Sequence, residues 1–219
     1  MKKLIGILLV LITHKSTGWA QSKDDFQTWY GASLKLDFKK GWAVTGQYRL
    51  RLTENSSYYK GSYLFGQVDK RLNKYLLATA NYRLAMVDVG TYHRYAVGLE
   101  GRYQLKGLSF FLRPMVQYQQ QNFAGDDEQT DTDTYFRPRF TVKYQLSRRF
   151  DAYVYAEPFY KLDKNPNLDW WQNSAGIKYE FSKGKKINLY YIWQPDYSHK
   201  TFRTNHIVGI DLEFTIKPK

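Results

Sequence analysis

Cysteine is absent from all 219 residues. That excludes disulfides, thiolate metal sites and an N-terminal lipid attached through sulfur. Long apolar runs are also missing. A membrane helix needs about 20 such residues, and the longest run here covers only residues 4–12. It follows Lys2 and Lys3 and precedes Gly18 and Ala20, which is the order of a signal peptide cut before Gln21. Residues 1–20 are therefore expected to be removed, and 21–219 are read as one domain. No segment of that domain has a helical period. Acidic residues are scarce: 20 against 33 Lys and Arg, a net charge of +13. Without the three lysines of the leader the excess is still ten. A basic chain raises the question of nucleic acid. These cations are spread one or two to a strand, with no nucleic-acid motif, so no such partner is expected.

What is present is alternation. In HRYAVGLEGRYQL, residues 93–105, one set of alternate residues is His93, Tyr95, Val97, Leu99, Gly101, Tyr103 and Leu105. The other is Arg94, Ala96, Gly98, Glu100, Arg102 and Gln104. Strand side chains point alternately to two faces, so one face is oily and the other wet. The pattern predicts strands at about 25–38, 42–52, 61–72, 75–86, 91–105, 108–121, 134–146, 150–162, 168–181, 187–197 and 205–216. Short polar connections alternate with connections that are longer on average, as in a barrel with turns at one rim and loops at the other. Most strands exceed the five or six residues usual in soluble sheets. Most also reach the roughly 9–11 residues of a tilted bilayer crossing.

The fold expected is all-β: an up-and-down antiparallel transmembrane β-barrel of about 10–12 strands. Eleven strands are counted, and ten or twelve are expected because bacterial single-chain barrels have even numbers. The alternative is a soluble lipocalin-like or sandwich protein with the oily face as its core. Alternation does not choose between them. Aromatics near the strand ends favour the oily face outward. Tyr30, Trp42, Tyr118, Tyr144, Tyr160, Trp171, Tyr179 and Trp193 are the candidate membrane-girdle residues. The candidate lumen-lining residues are Arg49, Arg51, Arg83, Arg94, Glu100, Arg102, Arg113, Arg137, Arg139 and Glu157. Tyr63, Phe65, Phe111, Tyr153, Tyr155 and Phe159 are expected to take up lumen space.

Catalytic constellations are thin. His93 and His206 fall on the oily face with no serine at matching spacing, and His199 beside Asp196 reads as a solvated loop. The loop AGDDEQTDTD at 124–133 carries five carboxylates. It lacks an EF-hand's closing Glu, so it reads as a solvated loop and not a Ca²⁺ site. No catalytic residue, metal or cofactor is assigned.

The stretches DFQTWYGASLKL, WAVTGQYRLRL, FRPRF and YAEPFYKL resemble a domain-of-unknown-function family of Bacteroidota-type outer-membrane barrels. Trp29 and Gly31, Arg49 or Arg51, and Glu157 with Pro158 carry the likeness. It implies an outer-membrane location. The expected partners are outer-membrane lipids, lipopolysaccharide and the outer-membrane assembly machinery. No activity or functional residue follows from the likeness. The function expected is a narrow channel with a basic lumen for small solutes. A structural or surface-interaction barrel with a plugged lumen, or a lipid-modifying enzyme, is the alternative.

Overall fold

The computed structural model describes residues 23–88, 90–123, 131–163, 166–197 and 202–218. The expected signal peptide, His199 and most of the acidic 124–133 loop lie outside the described residues. Strand segments follow one another in chain order. They are β1 (Lys23–Asp37), β2 (Trp42–Thr53), β3 (Tyr58–Arg71), β4 (Leu76–Val87), β5 (Gly90–Leu105), β6 (Leu108–Arg113) and β7 (Met115–Phe123). After them come β8 (Asp131–Phe136), β9 (Arg139–Gln145), β10 (Phe150–Lys161), β11 (Asn167–Ser182), β12 (Lys185–Asp196) and β13 (Arg203–Ile216).

Two of the wall's crossings are broken in the middle. Pro114 separates β6 from β7, and Arg137–Pro138 separates β8 from β9. Proline has no N–H to give a ladder. The gap is bridged by Met115 and Arg137, whose backbones exchange two hydrogen bonds of 3.1 and 2.8 Å. Counting each broken pair as one crossing, the sheet is a closed barrel of eleven strands.

The count falls within the expected range of about 10–12 and is odd, against the expectation of an even ten or twelve. In a meander each strand reverses the last, so with an odd number the first and last run the same way. They can close only in parallel. β1 and β13 do so, from Lys23 opposite Arg203 to Leu36 opposite Ile216. Every other pairing is antiparallel. The seam also puts Lys23 and Lys217 at opposite rims.

The two rims differ in charge. At one, the strands turn tightly at 38–41, 72–75, 106–107, 146–149 and 183–184. Lys106 and Gly107 both have positive φ (41° and 87°), the requirement of a type I′ hairpin turn. These turns carry exposed Lys39, Lys40, Lys74, Lys106, Arg148, Arg149 and Lys183 and no carboxylate. The opposite rim carries Asp25, Glu54, Asp88 and Asp163.

The barrel is apolar outside and polar inside. Among the described residues, forty large apolar or aromatic side chains are exposed and only eleven apolar residues are fully buried. Leaving a Leu, Val or Ile in water forfeits about 1.5–3 kcal/mol relative to burying it. Leu99, Val97 and Tyr95 point outward; Arg94, Glu100 and Arg102 point inward. The soluble alternative, with the oily face as core, is therefore not the arrangement adopted. A small internal cluster, Trp29, Tyr190, Ile192 and Ile207, packs on the lumen side of the seam.

Candidate functional site

The lumen is built by parity. Residues of one register on every strand converge on a cavity of about 460 Å³, within the range of roughly 300–1,000 Å³ typical of ligand pockets. All ten candidate lumen residues lie inside. Arg49, Arg51, Arg83, Arg94, Glu100, Arg113, Arg137 and Arg139 line this cavity. Arg102 lines a smaller one near the tight turns and binds Glu100 at 2.8 Å. Glu157 is fully buried behind its arginines. Phe65, Phe111, Tyr153, Tyr155 and Phe159 also line the cavity, and Tyr63 is buried.

The charges sort into two regions. On β6 to β10, three arginines converge on Glu157. Arg137 donates to its Oε1 at 3.0 Å, Arg139 Nε donates to Oε2 at 2.9 Å, and Arg113 stands 3.8 Å away. Arg137 also donates to Gln117 and lies 4.1 Å over the Phe159 ring. The proline breaks place Arg113, Arg137 and Arg139 at the ends of interrupted strands, beside one carboxylate. A second tie crosses the seam side. Arg49 donates to Asp211 at 2.8 Å, and Gly31, opposite Arg49 on β1, leaves the space that Asp211 occupies. Gly209 and Gly176 similarly leave room for the rings of Tyr190 and Tyr153. Nearer the tight turns, Lys178 pairs with Glu213 at 2.6 Å and Lys143 with Asp151 at 3.1 Å.

The region on β2 to β5 is different. Arg51 is sandwiched between Trp29 at 3.8 Å and Tyr63 at 3.9 Å. Arg83 lies 5.5 Å over Phe65. Arg94 donates twice to the Gln119 amide oxygen, at 2.9 and 3.2 Å. These three guanidiniums form no ion pair among the described residues. Arg83 and Arg94 are direct cross-strand neighbours.

The girdle candidates lie on the outer wall in two bands. Trp42, Tyr144 and Tyr179 lie toward the tight turns. Tyr118, Tyr160, Trp171 and Trp193 lie toward the opposite rim, and Tyr30 is nearer mid-wall. Trp171 and Tyr179 are half-buried, the first bonded to Asn173 at 2.7 Å and the second stacked on Phe150. His93 and His206 each spend Nδ1 on a tyrosine hydroxyl, of Tyr82 and Tyr191, at 2.7 and 2.6 Å. Asp133, from the acidic loop, pairs with Lys161 at 2.6 Å.

Several inward aromatics were not picked out by sequence reasoning. Trp29 and Tyr190 share the parity of the wet face, so counting alternate residues from Lys35 and Asn188 was enough to find them. Trp170, which packs on Phe159 and Tyr135, shares the parity of Ser174 and Lys178 and was findable in the same way. Asp169 was not: a bulge opposite Phe159 and Tyr160 shifts the register there, and Asp169 is buried with its carboxylate accepting from the Tyr135 hydroxyl at 2.9 Å.

An apolar-walled β-barrel around a charged lumen is the class that fold and site define. Over residues 26–205 the chain matches the family described as protein of unknown function, DUF2490, and it belongs to that family. No curated protein matches it.

Proposed function

We propose that the chain is an integral outer-membrane barrel with a narrow basic lumen that admits small anions. The carrying observation is the inverted distribution of side chains: forty large apolar ones outside a closed wall whose interior is charged. Hydrocarbon satisfies that exterior, and a closed sheet leaves no unpaired edge within it. The aromatic bands support the reading, since Tyr and Trp favour the membrane–water boundary. The ring of Lys and Arg at the tight turns also fits, because each cation near an anionic lipid surface contributes about 1 kcal/mol. Phospholipid headgroups are thus partners at the tight turns in this reading, lipopolysaccharide meets the opposite rim, where the longer loops lie, and the outer-membrane assembly machinery inserts the barrel.

Fractionation on a sucrose gradient, with a heat-modifiable band on mild-detergent gels, tests the location. Recovery as a soluble periplasmic monomer overturns it. Reversal potential in planar bilayers under a salt gradient tests the lumen: small conductance with anion preference is expected, because Arg51, Arg83 and Arg94 line the main cavity without an ion pair among the described residues while its carboxylates, Glu100 and Asp211, are paired. A clear cation preference counts against the arginines as the selecting element.

The second reading is a closed barrel whose lumen charges serve as internal ties. The arginines around Glu157 and the Arg49–Asp211 bridge favour it. Absence of any conductance selects this reading over the first.

A further inference from the structure

We propose that the Arg51–Arg83–Arg94 side of the lumen is a binding site for a small multivalent oxyanion of the phosphate or polycarboxylate type. The proposal deepens the reading of the lumen as an anion passage by naming where an anion stops and what kind stops there.

Like charges directly opposite one another across a strand pair are destabilising. Among the described residues the barrel contains two such arginine pairs, Arg113 with Arg139 and Arg83 with Arg94. The protein neutralises the first with Glu157. It supplies no ion-paired carboxylate to the second among the described residues. The guanidiniums on this side are nonetheless held in place. Aromatic faces flank Arg51, the Phe65 ring lies beneath Arg83, and the Gln119 amide orients Arg94. Each of these partners positions a cation without cancelling its charge. Arg51 Nε is buried with no hydrogen-bond partner, as are the Nε atoms of the ion-paired Arg49, Arg113 and Arg137, so what sets this side apart is its missing carboxylate.

Fixed, unneutralised guanidiniums around a cavity of about 460 Å³ are a preorganised receptor. Their planar forks match the paired oxygens of phosphates and carboxylates. A monovalent halide carries one charge on a single atom and offers no paired oxygens for a fork to match. Multivalent oxyanions are therefore preferred over chloride.

Isothermal titration of the refolded full chain in detergent, with sodium phosphate and separately with citrate, tests the site. Saturable binding near one equivalent is expected, weakening as chloride is raised. The double variant Arg83→Gln/Arg94→Gln should bind at least about tenfold more weakly, since charge-assisted hydrogen bonds are among the strong ones. Lys39→Gln removes an exposed charge at a tight turn, outside the cavity, and should leave affinity within about twofold. Arg94→Lys keeps the charge, loses the fork and should fall between them. Heat-modifiable migration certifies that each variant is folded, and Arg94→Lys carries the test if the double variant is not. No saturable heat with either anion, or equal weakening in Lys39→Gln and the arginine variants, overturns the site. Bilayer conductance separates the two claims. A silent barrel that binds phosphate keeps the site and loses the channel; a conducting barrel without saturable binding keeps the channel and loses the site.

Discussion

The two arginine pairs of the lumen are chemically alike and differently treated. Arg113 and Arg139 face each other across β6 and β9 and share a fully buried carboxylate. Arg83 and Arg94 face each other across β4 and β5 with an aromatic ring and an amide for company. The first arrangement is a structural tie. A buried charge without its partner costs several kcal/mol, so each member of the Glu157 cluster depends on the rest. The second leaves positive charge on display where water or an incoming anion must balance it. One lumen thus holds a region whose charges tie the wall together and a region whose charges are left without a carboxylate.

The contrast is broken most severely at Glu157. Glu157→Gln strands three arginines and should cost about 3–5 kcal/mol, read as earlier urea unfolding of barrels folded into lipid vesicles. A loss under 1 kcal/mol would mean that water already screens the cluster and that the two regions are alike. Next is the contrast between wall and lumen. Leu99→Arg places a charge on the outer face and should weaken insertion by about 2–4 kcal/mol if it lies at the bilayer midplane. Arg102→Leu, on the inner face, should cost less in the same vesicle titration; the reverse order would invert the assignment of faces. Gly31→Ala is smaller in reach. The added methyl group invades the place of the Asp211 carboxylate and should destabilise by about 1–3 kcal/mol through overpacking, with loosening of the Arg49 tie. The smallest effect is expected at the open pair. In low-salt buffer free of multivalent anions, Arg83→Gln/Arg94→Gln should leave stability unchanged or raise it by about 0.2–1 kcal/mol, because it removes facing like charges. Marked destabilisation would make that pair a tie as well.

Much of this was legible before folding. The run at 93–105 separates Leu99 from Arg102 by parity alone, and all ten candidate lumen residues share the wet register. Tight turns such as Lys106–Gly107 mark where the wall reverses. The strand count was also legible, though eleven was set aside because bacterial single-chain barrels have even numbers; the parallel seam is what lets the odd sheet close. The burial of Asp169 was lost to a bulge that no periodicity reveals.

By itself, then, the sequence determined the strands, their two faces and which residues share each face, because a strand's side-chain period is local and fixed at two. The tertiary structure decided the rest. Alternation is symmetric between inside and outside, so only closure of the sheet assigns the oily face to the wall. Closure pairs Lys23 with Arg203, residues far apart in the chain. It also brings Arg49 to Asp211, while the long-range pairing of β6, β9 and β10 brings three arginines to Glu157 and leaves Arg83 and Arg94 without an ion-paired carboxylate among the described residues. Neutralisation depends on distance across the lumen, and that distance exists only once the barrel is closed.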